Sequence, residues 1–129
     1  MPTEKNPLLT AAASSGLIGV VAGAFGVHYL RDRLTAAKLS SWTSAVQFNL
    51  IHSAAQLAVI ALLNREDPQT PAAKHLNRAS QLMLTGTVLF SGSIYALCLG
   101  VLPKVMGPLT PIGGISLMLG WISAALAGL

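Results

Sequence analysis

The sequence predicts an all-α integral membrane protein, a four-helix bundle whose helices meet along seams of glycine, alanine and serine. Three observations predict it. Only 9% of the 129 residues are charged and 53% are hydrophobic, whereas ordinary soluble domains carry about 25% charged residues. The charge is segregated, so that the spans 9–30, 42–63, 79–102 and 112–129 contain no Lys, Arg, Asp or Glu; each is near the roughly 17–25 residues a helix needs to cross a bilayer. The third observation is the stretch Ala12 to His28, where Gly16, Gly19, Gly23 and Gly26 fall on one narrow helical stripe. Each glycine costs a soluble helix about 1 kcal/mol relative to alanine, but in a membrane it lets a neighbouring backbone come close. The four spans account for almost the whole chain, so residues 1–129 read as a single transmembrane domain.

Taken in order, residues 1–7 are a polar lead broken by Pro2 and Pro7. This lead is not rich in arginine, and the first apolar run exceeds a usual signal-peptide core, so a cleavable presequence is not favoured. The first span stops at Arg31-Asp32-Arg33. Thr35–Ser41 reads as a short interfacial helical connector, with Lys38 snorkelling and Trp42 marking the headgroup boundary. The second span is the polar one: Ala45, Asn49, His52, Ser53 and Gln56 share a face that should turn inward, because their amides and imidazole need partners where water is absent. Residues 64–78 read as the one substantial loop, containing His75. In the third span Ala79, Gly86, Ser93 and Gly100 recur every seven residues, a small-residue seam, and Pro103 ends it. Residues 103–111 read as a stiff loop, with Thr110 capping the fourth helix and Pro111 at its first position. In that helix Gly113, Ser116, Gly120 and Ser123 repeat the glycine spacing of the first.

The net charge is +4 and the isoelectric point about 9.7. Because the basic residues stand at the ends of apolar spans, lipid headgroups rather than nucleic acid are the expected partner. Arg31, Arg33, Lys38 and Lys104 are the expected headgroup contacts, for anionic lipids of which cardiolipin is one. With four spans, both termini and the middle loop share one side, which holds Lys5, Arg65, Lys74 and Arg78. Each side then has equal basic charge, and the positive-inside rule assigns no orientation.

Candidate chemistry is sparse. His28 and His52 lack metal-ligand or haem-attachment spacing, and no metal or cofactor is expected. Asn49, His52 and Gln56 could line a proton or solute path, intramembrane polar groups being functional candidates, but no acid stands in any span; interhelical hydrogen bonding is the favoured reading. Ser91, Ser93 and Tyr95 lack a Gly-x-Ser-x-Gly context. Cys98, the only cysteine, offers no disulfide and reads as an apolar side chain.

Four strings, GAFGVH (Gly23–His28), WTSAVQFNLIH (Trp42–His52), LFSGSIY (Leu89–Tyr95) and LTPIGGISLMLGW (Leu109–Trp121), together resemble the small four-helix membrane family called domain of unknown function 423, which includes bacterial YgdD-type inner-membrane proteins and the eukaryotic transmembrane protein 256. Two departures are visible: Phe48 stands where the family often has Tyr, and the segment 64–78 is longer and more charged. The resemblance implies membrane residence without an established reaction, in the mitochondrial inner membrane of a eukaryote or the inner membrane of a bacterium. The expected role is non-catalytic, an accessory or structural subunit beside other membrane proteins in an inner-membrane complex, a respiratory one being a candidate. The competing expectation is a small oligomeric transporter or channel using the Asn49–His52–Gln56 face.

Overall fold

The computed structural model describes residues 4–129, leaving Met1–Thr3 of the polar lead outside it. Among the described residues every regular element is helical: α1 (Pro7–Phe25), continued by a π-helical turn over Gly26–Leu30, α2 (Ala36–Leu63), α3 (Pro71–Cys98) and α4 (Pro103–Ala127). Counting the π turn with α1, they contain 24, 28, 28 and 25 residues. At 1.5 Å per residue that is roughly 36–42 Å, enough to cross a hydrocarbon core of about 30 Å.

The helix limits differ from those expected, for local reasons. The lead ends at Asn6, whose side chain caps α1 by accepting from the Leu9 N–H at 3.1 Å, with Pro7 at the first helical position. The segment Thr35–Ser41 is no separate connector. Thr35 caps α2 through the Lys38 N–H at 3.2 Å, and the helix-forming Ala36, Ala37, Lys38 and Leu39 run straight into the second span. Thr70 caps α3 in the same way, with Pro71 at its start, so the loop is 64–70 and His75 lies on a helix.

The α3–α4 junction departs most. α3 stops at Cys98 because Gly100 adopts φ +75° and closes a Schellman motif, its N–H on Leu97 O at 3.1 Å and that of Val101 on Ala96 O at 2.8 Å. Gly100 is therefore a helix terminator. A Cβ there would meet nothing within 4 Å, which corrects its assignment to the packing seam. Leu102 is left-handed at φ 43°, and α4 starts directly at Pro103. Thr110 does not cap it: Pro108 and Pro111 sit inside the helix. Each lacks the N–H that would serve the carbonyl one turn back.

The central pair is α2 and α3, antiparallel. α1 packs on α2 and lightly on α3, whereas α4 packs extensively on α3 and reaches α2 through the Trp121 side chain. α1 and α4 thus occupy opposite flanks. Constant antiparallel registers follow: Gly16, Gly19, Gly23 and Gly26 face Ser53, Leu50, Val46 and Trp42, and Gly86 and Gly113 face Leu117 and Phe90. Buried apolar residues gather towards the two ends, Ala22, Leu30, Trp42 and Cys98 at one and Val59, Leu76, Ala79 and Met83 at the other. Outward, Leu17, Val20 and Val21 of α1 and Ile115, Met118 and Ile122 of α4 are exposed. Contiguous apolar surface of this kind suits acyl chains rather than water.

Candidate functional site

The polar residues of α2 sit at the middle of the bundle, but they serve three different interfaces. Asn49 joins three helices. Its Oδ1 accepts from Ser15 Oγ of α1 at 3.1 Å and its Nδ2 donates to Tyr95 OH of α3 at 3.1 Å. Ser53 Oγ lies 3.0 Å from Ser15 Oγ and donates to the Asn49 carbonyl at 2.7 Å. Ser15, Asn49 and Ser53 are all buried, so the cluster is satisfied from within.

His52 faces the other flank. Its Nδ1 is 2.8 Å from the Phe48 carbonyl, and its Nε2 accepts the indole N–H of Trp121 at 3.0 Å. An indole can only donate, so Nε2 carries the lone pair and Nδ1 the hydrogen. The ring is further held by Phe48, stacked at 5.7 Å, and Trp121, edge-on at 5.9 Å.

Gln56 is fully buried and donates Nε2 to the Ser80 carbonyl of α3 at 3.0 Å. Among the described residues its Oε1 and the Ser80 hydroxyl have no hydrogen-bond partner. Asn49, His52 and Gln56 therefore share one side of α2 without forming a chain of hydrogen bonds with each other. Serines elsewhere clamp carbonyls across interfaces: Ser91 on Ala45 and Ser116 on Leu82, with Ser123 on His75, at 2.7–2.8 Å. Ser93 meets the Thr110 hydroxyl, and Cys98 Sγ points at the Lys38 carbonyl at 3.3 Å. A crevice of about 240 Å³ between α1, α2 and α3 is edged by Ser14, Asn49, Thr87 and Tyr95. Among the described residues no group of three or more His, Cys, Asp or Glu is placed to hold a metal ion.

Two features lay beyond the sequence reading. Trp42, read as a headgroup marker, is 4% exposed and donates its indole N–H to the Ala22 carbonyl at 2.8 Å. It packs on Tyr95 and Phe25. Gly26 makes this possible, since a Cβ there would lie 2.7 Å from the indole nitrogen. The same place is where the helix widens to π geometry, a change common at sites with special demands. A glycine one turn before the end of a span, with a tryptophan opening the next, was the available signal. The second feature is the Trp121–His52 bond, for which the spacing held no clue.

The basic residues also divide. Arg33 folds back, Nη1 on the Tyr29 carbonyl at 2.8 Å and its guanidinium carbon 3.8 Å from the Tyr29 ring centre, while Tyr29 stacks on Phe25. Arg31, Lys38 and Lys104 are exposed.

Sequence comparison now places the chain. The model of the protein family of unknown function DUF423 matches residues 22–114. The chain belongs to the DUF423 family. A UPF0382 membrane protein of Schizosaccharomyces pombe is 39% identical, with 85% of this chain and 91% of that protein aligned. One from Haemophilus influenzae is 37% identical over 94% and 92%, and one from Staphylococcus epidermidis 34% identical over 91% and 90%. No solved structure matches. This DUF423 chain, like those relatives, is a membrane protein, and its family carries no assigned activity.

Proposed function

We propose that this DUF423 protein is a non-catalytic accessory or structural subunit of an inner-membrane complex, a respiratory one being the first candidate. The single observation that carries the reading is the Asn49 cluster, in which the amide and the Ser15 and Tyr95 side chains are engaged in joining α1, α2 and α3. Interhelical bonds of this kind contribute about 0.6–2 kcal/mol each and require no turnover. His52 supports the same view, its two ring nitrogens being occupied by Phe48 and Trp121. The exposed apolar flanks of α1 and α4 leave two separate faces for neighbouring helices. Relatives in both bacteria and a yeast fit a home in the bacterial inner membrane or its mitochondrial counterpart.

Native mass measurement of the tagged protein in mild detergent tests this. A defined hetero-complex supports the subunit reading. A homo-oligomer free of other chains overturns it in favour of a small channel or transporter. His52→Gln sharpens the outcome: the amide retains hydrogen bonding without titration, so the assembly should survive unchanged.

A further inference from the structure

A groove on the outer surface lies between α1 and α2 at the end that carries the π turn. Its volume is about 390 Å³, and its walls are Gly23, Gly26, Val27, Leu39, Trp42 and Val46, with Arg31 and Thr43. Gly23 and Gly26 contribute no side chain, and Val27 stands 62% exposed on the rim. From Gly23 to Arg31 the groove runs roughly 12 Å along the helix axis at 1.5 Å per residue. One end is thus apolar and lies within the span, and the other carries a cation at the span's limit. Arg33, two residues on, is turned onto Tyr29. Among the described residues Arg31 makes no side-chain hydrogen bond, and it is the only charged residue on the groove's wall.

We infer that this groove holds one anionic phospholipid, an acyl chain lying over Gly23 and Gly26 with the phosphate at Arg31. The occupant follows from the distribution of chemistry. The wall is apolar for the length buried in hydrocarbon and cationic at the interface, which is the complement of a phospholipid carrying net negative charge. A guanidinium suits the phosphate by paired N–H donors. A zwitterionic lipid fills the same groove but gains less at Arg31. The inference is independent of whether the chain works inside a larger complex.

Trp42, on the groove wall, supplies the readout. The full-length protein is reconstituted in phosphatidylcholine vesicles with increasing fractions of dibrominated phosphatidylglycerol or dibrominated phosphatidylcholine, and tryptophan quenching is followed. The chain has two tryptophans, so Trp121→Phe isolates Trp42. If that variant is poorly folded, the difference between wild type and Arg31→Gln reads the same effect, Trp121 lying on α4 away from the groove. The brominated anionic lipid should quench at about one fifth of the mole fraction that the brominated zwitterionic lipid requires, the preference a single basic group gives near a membrane surface. Arg31→Gln should abolish the difference, whereas Arg33→Gln should leave most of it. Val27→Phe, a change on an exposed rim, should reduce quenching by both lipids. Equal quenching by the two lipids in wild type, or an unchanged preference in Arg31→Gln, overturns the headgroup assignment; quenching unaltered by Val27→Phe overturns the groove.

Discussion

The α1–α2 and α3–α4 seams use the same spacing of small residues and solve different problems. Along α1, the glycines face side chains. A Cβ on Gly19 would lie 2.8 Å from Leu50 Cδ2, one on Gly23 3.3 Å from Val46 Cγ1, and one on Gly16 3.6 Å from Ser53 Cβ. Along the α3–α4 seam backbone comes close as well, most of all at Gly113, while the nearest atoms to Gly86 and Gly120 belong to the Leu117 and Met83 side chains. A Cβ on Gly113 would overlap the Phe90 nitrogen and lie 2.8 Å from the Leu89 carbonyl carbon; one on Gly86 would lie 2.8 Å from the Leu117 nitrogen. The first seam leaves room for Leu50, Val46 and the Trp42 indole, and with it a groove on the lipid side. The second brings two helices into direct contact and closes the interface. A small-residue stripe therefore specifies a close approach but not what will approach.

The largest effect should come from Gly113→Ala. One added methyl strikes backbone that cannot turn aside, so the variant should lose about 3 kcal/mol, at the upper end of overpacking costs, or fail to accumulate; thermal unfolding in detergent measures it. Gly19→Ala is the matched change in the other seam. Leu50 can rotate, and alanine favours the helix by about 1 kcal/mol, so the loss should stay below about 1 kcal/mol. Equal losses at Gly113 and Gly19 would erase the distinction between the seams.

Asn49→Leu sharpens the comparison from the polar side. It removes one link between α1 and the central pair, leaving those of Ser53 to Ser15 and Trp42 to the Ala22 carbonyl, and takes the Asn49 acceptor from the Ser15 hydroxyl, so a loss of about 1–2 kcal/mol is expected. Because α4 makes no bond to Asn49, a cross-link engineered between α1 and α2 should weaken in this variant while one between α3 and α4 persists. If both weaken together, the four helices behave as one cooperative unit rather than two flanks. The smallest effect is expected at the junction of α3 and α4. Leu102→Gly relieves a left-handed backbone, worth about 1 kcal/mol for a residue with a Cβ, and should raise the Tm slightly; a fall would mean that the exposed Leu102 side chain contributes more than its backbone strain removes.

The sequence by itself determined the membrane class, the four spans and the inward side of α2, because these depend on one-dimensional quantities: the length of charge-free runs and the angular period of a helix. It determined less about where helices begin and end. Thr35 and Thr70 begin helices well before the apolar spans, since capping acts on the backbone whether or not the residues lie in hydrocarbon, and α4 begins early at Pro103 without a side-chain cap. Gly100, in step with Ala79, Gly86 and Ser93, left the seam because its helix had already ended. Partner choice belonged to the tertiary structure alone. Asn49, His52 and Gln56 occupy one sector of α2, yet the helices around that sector assign Ser15 and Tyr95 to the first, Trp121 to the second and Ser80 to the third. Periodicity gives the direction in which a side chain points from its own helix axis; which group stands there depends on the rotation and register of the neighbouring helix, and no spacing within a single span carries that information.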